Sequence, residues 1–429
     1  MKFRGALLLA VLYLVLPLVQ SWVYLAGLPF ADGIDTVNFA ASIFAYHWLL
    51  ANVLLSLKLP VLQNSLPYDL RIRLHVFSTL GLVAFVVWHG VYTIFMKAKM
   101  IDVVSWSLLA VFAGLLVLSM LWIPLPGLKT LRSRVVGLVR FGALKSYDWL
   151  KASHKVLFTT LAALAYVHVV QSDIIGEVPA LFGWGYQVLF LVTAAAFLWT
   201  RIRNLTLPSL SVVSVASEGG IVRLALEPHS RLRYRSGQFA FLRFDHPDLR
   251  GEEHPFSFTS AVHEDEVAFA VRPRGDFTAK LSRLKAGDQV RVNGGFGAFH
   301  PRRGTAPLAL IGSGIGSAPL ISILKDLAVR EPGREVVCVL SVRSRNELVD
   351  GPALEALKAA MPQLTLRVLV PREDGQYYGP EVLARELGDV TRFQCYVCAS
   401  DEVRAVVVRA LKGLGVQPRR IHFEAFNLG

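Results

Sequence analysis

Cysteine is almost absent from this chain. Only Cys338, Cys395 and Cys398 occur among its 429 residues, all in the second half, which excludes a disulfide framework. Charge is also sparse, at 18% of residues, and its deficit is uneven. Residues 1–203 hold 16 Lys and Arg against 7 Asp and Glu, whereas 204–429 hold 29 against 25. The basic excess therefore belongs mostly to the first half. The second half is too balanced for a surface that tracks nucleic-acid phosphates, so no nucleic-acid partner is expected.

Hydrophobic residues fill the space that charge leaves, at 53%, too many for one ordinary soluble domain of this length. The long apolar runs lie near 4–27, 37–57, 74–96, 103–123, 155–172 and 180–200. Each approaches the roughly 20 residues that a bilayer-crossing helix needs, which predicts six membrane helices and a lipid bilayer as partner. With the N-terminus inside, Lys97 and Lys99 alone among the 16 basic residues fall outside, in keeping with the positive-inside bias of membrane proteins. The soluble half is then cytoplasmic, and the chain an integral membrane protein. The start, "MKFRGALLLAVLYLVLPLVQSWVYLAG", has the basic-then-apolar order of a signal peptide. Its run is longer than a signal core, so it reads as an uncleaved first helix.

Four histidines interrupt the apolar runs in a pattern. His75 and His89 are 14 residues apart in the third run, and His154 and His168 repeat that interval in the fifth. Fourteen residues are just under four helical turns, so each pair shares a face, separated by about 21 Å along the axis. The third and fifth helices run the same way through the membrane. His75 therefore matches His154 in depth, and His89 matches His168. Two imidazoles at one depth supply both axial ligands of a haem iron, which predicts two stacked b-type haems. A zinc or copper pair fits less well, because no carboxylate or thiolate accompanies the histidines. His47, with no counterpart, reads as a structural hydrogen-bonding residue. Arg71, Arg73, Lys151 and Lys155 flank the inner layer and are candidates for the propionates, or ordinary cytoplasmic flanks.

From about residue 209 short strands alternate with Gly and Pro turns: "LSVVSV", "IVRLALEP", "FAFLRF", "PFSFTSA", "EVAFAVRP" and "DQVRVNG". That rhythm predicts a small antiparallel β-barrel. After "PRRGTAP", strand, glycine loop and helix alternate, which predicts an α/β domain with a parallel sheet. The loop Gly312-Ser313-Gly314-Ile315-Gly316 joins a buried strand to a helix start. Glycines there let the backbone approach a pyrophosphate at the helix N-terminus. Ser317 stands where the usual dinucleotide fingerprint has its last small residue, so the loop is not the standard Rossmann version.

Taken in order, "HPFSFTS" (254–260), "VRPRGDFT" (271–278), "GGFGAF" (294–299), "GSGIGSAP" (312–319) and "CASDEV" (398–403) resemble the ferredoxin-NADP reductase superfamily. Joined to the histidine-bearing helices, the chain is similar to the NADPH oxidase and ferric reductase family, bacterial homologues included, over nearly its whole length. The resemblance implies three domains: a di-haem membrane domain at 1–203, an FAD-binding barrel at 204–302 and an NADPH-binding α/β domain at 303–429. It implies that His254, Pro255, Phe256 and Ser257 hold the flavin, and that Arg272, Gly275, Phe277 and Thr278 bind the FAD pyrophosphate. Gly312, Gly314 and Gly316 would take the nicotinamide dinucleotide. Arg343 and Arg345 fall where the superfamily reads the adenosine ribose, which favours NADPH, with NADH as the alternative donor. Cys398 matches a cysteine near the nicotinamide, although Ala399 and Ser400 replace the family's Gly-Pro after it. Cys395 completes a C-x-x-C that could be a redox or metal pair; within a strand it reads as packing. Phe426 would stack on the flavin.

The implied activity is electron transfer from NADPH through FAD and two haems to an outer acceptor. Oxygen, giving superoxide, is the leading acceptor; a ferric chelate, or a periplasmic partner protein served by an electron relay, are the alternatives. No EF-hand loop or long regulatory insertion is visible, so neither calcium nor a protein activator is expected to be obligatory.

Overall fold

The computed structural model describes residues 3–27, 33–96, 102–120, 147–172, 180–228, 232–249 and 252–424. They form two compact units. One comprises Met1–Leu59 and Ile72–Ile202, the other Pro60–Arg71 and Arg203–Gly429.

The first unit is built from helices α1 (Phe3–Ala10), α2 (Leu16–Gly27), α3 (Gly33–Ser56), α5 (Tyr68–Met96, of which Ile72 onward belongs here), α6 (Val103–Met120), α7 (Tyr147–Gln171) and most of α8 (Ala180–Leu205). A short α4, Pro60–Ser65, belongs to the other unit. Five stretches are long and apolar enough to cross a bilayer: Gly5–Gly27, Gly33–Ser56, Leu70–Met96, Ala152–Gln171 and Phe182–Leu205. The expected crossing near 103–123 is described only in part. Its apolar helix, Val103–Leu118, is shorter than the others, and residues 121–146 lie outside the described residues. The bundle thus has five helices of spanning length and one shorter apolar helix among the described residues.

Helices that are apolar all round need either each other or hydrocarbon around them. Tyr24, Ile43, Leu50, Leu82, Phe112 and Tyr186 pack into a shared core, while Trp22 (70%), Phe77 (70%) and Val103 (81%) point outward. Between α1 and α2 the helix widens into a π turn, Val11–Val15, just before Pro17. Proline has no N–H for the carbonyl four residues back, that of Tyr13. Trp48 Nε1 donates to that carbonyl instead, at 2.9 Å. The Tyr13 hydroxyl donates to Asn52 Oδ1 at 2.9 Å, and Ser78 Oγ donates to the same oxygen at 2.5 Å. Side-chain bonds of this kind tie helices together where burial of apolar surface gives little net attraction.

The second unit has two sheets. Strands β1 (Ser209–Glu218), β2 (Ile221–Leu226), β3 (Phe239–Phe244), β4 (His254–Ser257), β5 (Val267–Val271) and β6 (Gln289–Phe296) form an antiparallel sheet in the order β4-β3-β6-β1-β2-β5. A bridge between Phe258 and Phe269 joins its two edges. The expected strands are therefore present, wrapped around Phe244, Phe258, Phe269, Val290 and Val292. Strands β7 (Leu308–Ser313), β8 (Val336–Ser341), β9 (Leu364–Leu369), β10 (Gln394–Cys398) and β11 (Ile421–Phe423) form a parallel sheet in the order β11-β10-β7-β8-β9. Helices α9 (Ser317–Arg330), α10 (Gly351–Ala360), α11 (Pro380–Leu387) and α12 (Asp401–Gly413) accompany it. Buried cores lie on both faces, which is why β7 and β8 read as unbroken apolar runs.

Residues 60–71 are a finding the sequence pattern did not announce. They join the second unit: the Tyr68 ring sits 6.2 Å from Phe239 and 5.6 Å from Phe241, centre to centre. Arg71 covers Tyr68 at 5.1 Å and donates to Gln63 Oε1 at 2.7 Å.

Candidate functional site

In the first unit the structure brings His89 and His168 together, their ring centres 6.3 Å apart and their planes at 70°. Both line a cavity of about 230 Å³ with Tyr46, Leu82, Phe112 and Phe182. Two metal–imidazole bonds of about 2 Å each, plus two ring half-widths, span roughly 6 Å. The two rings could therefore hold one metal between them in an apolar slot. His75 and His154 are arranged differently. Phe158 stands beside both, with centres 6.3 Å from His75 and 6.0 Å, stacked, from His154. The Nδ1 of His75 is buried and makes no hydrogen bond among the described residues. His47 is buried and bonds the Ile43 carbonyl from Nδ1 at 2.8 Å.

In the second unit β4 pairs with β3, His254 opposite Leu242 and Ser257 opposite Phe239, which lays His254, Pro255, Phe256 and Ser257 side by side on an edge strand. His254 Nε2 meets Glu252 Oε2 at 2.7 Å, and its ring lies 4.0 Å from that of Phe277. Phe277 itself is 4% exposed and belongs to the barrel core. Its side chain packs in that core, and its N–H donates to Asp276 Oδ1 at 2.9 Å. Gly275 adopts φ 142° at the start of the short helix Asp276–Ala279, and Thr278 Oγ1 accepts from the Arg274 N–H at 2.7 Å. Arg272 Nη2 is held by Glu347 Oε2 at 2.8 Å. In this structure a carboxylate occupies the guanidinium expected to meet a phosphate.

The glycine loop crosses the end of the parallel sheet. Gly312, next to last in β7, lies opposite Cys398 of β10, Gly314 has φ 55°, and Gly316 lies so near the Cys398 carbonyl that a Cβ would overlap it. Glycine at these last two positions is therefore a steric and conformational requirement. Cys398 is 3% exposed; burial pushes its thiol up to about 12, with the nearby Glu424 carboxylate adding to the effect. Cys395 is buried and likewise shifted to about 12 by burial. No group of three or more metal-ligating side chains occurs among the described residues. Arg343 is exposed beyond β8, and Arg345, 71% exposed at its side chain, pairs with Glu373 at 3.4 Å. Phe426 lies outside the described residues.

Sequence reasoning missed three polar neighbours of the histidines. Asn38 Oδ1 lies 3.1 Å from His89 Nδ1, Ser105 Oγ lies 3.3 Å from His168 Nδ1, and Asp102 accepts from Ser105. Asn38 carried a signal, being one of two amides, with Asn52, in an apolar helix. Asp102 and Ser105 carried only that of a helix cap. Glu424, 3% exposed, was also passed over beside the aromatics of "HFEAF".

Residues 206–295 match the family described as FAD-binding domain. Over 229 residues the chain is 27% identical to the ferredoxin–NAD(P)(+) reductase component of the naphthalene 1,2-dioxygenase system from Pseudomonas putida, covering 51% of this chain and 69% of that one. A related reductase component from Ralstonia sp is covered over 64% of its length, under two thirds. Dual oxidase 2 from Sus scrofa is 29% identical over 168 residues, 36% of this chain and 11% of the oxidase. The crystal structure of the cytochrome P450 reductase GcoB from Amycolatopsis resembles 51% of this chain and 70% of that one, at 26% identity and a TM-score of 0.45. The chain carries an FAD-binding domain of the reductase type and is an oxidoreductase.

Proposed function

We propose that the chain carries electrons from cytosolic NADPH through FAD and two haems of b type to an acceptor across a membrane, with oxygen as acceptor and superoxide as product. One observation carries the reading: a single chain joins a reductase-type FAD domain to helices of spanning length bearing histidines in two matched pairs. The 6.3 Å separation of His89 and His168 supports an iron between them. The likeness to dual oxidase 2 supports oxygen over a ferric chelate.

Bound flavin and haem supply the passage from hydride to single-electron chemistry, and the protein positions them. His254, Pro255, Phe256 and Ser257 border the flavin along one strand. Gly312, Gly314 and Gly316 let the backbone approach a dinucleotide pyrophosphate at the start of α9. Cys398, closed in by Gly316, offers the nicotinamide a neutral thiol. Arg343 and Arg345 are exposed where a 2′-phosphate needs cations. Arg272 reaches an FAD phosphate by leaving Glu347.

Purified protein in detergent is expected to oxidise NADPH and to reduce cytochrome c in a way that superoxide dismutase suppresses. Turnover that ignores oxygen and requires ferric chelate would replace the oxidase by a ferric reductase; turnover only with an added partner protein would make it a relay. His75→Leu and His168→Leu should each lower haem content by about half, as two independent layers require. Unchanged haem content in both would refute the haem assignment.

A further inference from the structure

The two histidine layers are not equivalent. In the His89–His168 layer each ring has a side-chain neighbour on Nδ1, Asn38 for His89 at 3.1 Å and Ser105 for His168 at 3.3 Å. In the other layer His75 Nδ1 is buried without a hydrogen bond among the described residues. Ser105 is itself committed: its hydroxyl donates to Asp102 Oδ1 at 2.7 Å, and its N–H donates to the same oxygen at 2.7 Å. With the hydroxyl proton directed at a carboxylate, the Ser105 oxygen faces His168 as an acceptor. Asn38 Oδ1 faces His89 in the same role.

We infer that Asn38 and the Asp102–Ser105 pair are positioning residues that make the His89–His168 layer the more electron-rich of the two. The inference rests on the haem reading above. An acceptor on Nδ1 fixes the proton there and leaves the Nε2 lone pair for a metal. It also makes the ring a stronger donor, because a hydrogen bond from Nδ1 transfers part of the acceptor's negative character to the imidazole. Asp102 is exposed, so water screens its charge, and it enters by fixing the direction of the Ser105 hydroxyl that faces His168. A more basic pair of ligands favours the oxidised iron and lowers its midpoint potential. Asn38 is 5% exposed, and an amide buried in an apolar helix is retained at a cost unless bonded. Asp102 has a second job as the cap of α6, which explains its presence but not the alignment of Ser105 with His168.

The test is spectroelectrochemical titration of the full-length, haem-loaded protein in detergent, with haem stoichiometry measured alongside. Asn38→Leu, Ser105→Ala and Asp102→Asn should each raise the midpoint of one haem and leave the other in place. Ser105→Thr, which keeps the hydroxyl, should retain the wild-type value. Wild-type potentials in both Asn38→Leu and Ser105→Ala, at full haem content, would overturn the inference and leave the haem reading standing. An equal shift of both haems would also overturn it, since that reports general loosening. Wild-type protein without a b-type haem spectrum would remove the haem reading itself, before any variant is made.

Discussion

At the scale of single residues, the three cysteines give a measurable signature. Burial pushes Cys338, Cys395 and Cys398 each up to about 12, against about 8.5 for an exposed thiol. Between those values the unfolded chain holds fewer protons than the folded one, so folding stability is full below about pH 8.5 and declines as pH rises toward 12. Denaturant midpoints measured from pH 8 upward should therefore fall, and all three thiols should stay silent to a thiol reagent at pH 8 until the chain unfolds. Gly316→Ala places a methyl group against the Cys398 backbone. Overpacking of this kind costs about 1–3 kcal/mol, and NADPH affinity, read by equilibrium titration, should fall with it. The importance of Gly316 was legible in the glycine spacing, whereas the Glu347 partner of Arg272 was not. Nothing in "SVRSRNEL" says which strand of the barrel that carboxylate will meet, because the pairing is created by tertiary approach.

At the scale of elements, the segment 60–71 is the clearest case of structure that periodicity cannot reveal. Pro60 and Pro67 bracket the mixed run "VLQNSL". Its Leu62 and Leu66, each 1% exposed, are too few to show a period. Tyr68 completes an aromatic cluster with Phe239, Phe241 and Phe296. Tyr68→Ala should lower the stability of the FAD-binding part by about 2 kcal/mol, given a half-buried ring, seen as earlier flavin release on heating. Unchanged release would mean that the cluster closes without Tyr68. The strands of the barrel, by contrast, were legible almost to their ends, because alternation and turn residues act locally.

At the scale of the whole molecule, the composition divides the chain before any element is assigned, and the two compact units follow that division except at 60–71. Within the second unit, Lys325 of α9 pairs with Glu264 at 3.0 Å and with Asp350 at 3.2 Å, and Arg223 of β2 reaches Asp350 at 3.5 Å. These charges link the barrel to the nucleotide fold and were invisible in a sequence with near-balanced charge. The outward Trp22, Phe77 and Val103 of the first unit call for an apolar surround. Dilution of detergent below its micellar concentration should precipitate the protein, and transfer into nanodiscs should prevent that; a dispersed, monomeric chain in plain buffer would contradict the membrane reading.

The placement of Tyr68 also has a consequence in time. A ribosome makes residues 60–71 well before the strand Phe239–Phe244 against which they pack. At typical elongation rates the interval is on the order of ten to thirty seconds. Throughout it, a segment with a buried destination has no surface to bury against. Nascent chains halted shortly after residue 200 should thus expose a short, sticky site that chaperones or proteases can find, and that site should vanish once the first strands of the barrel have emerged.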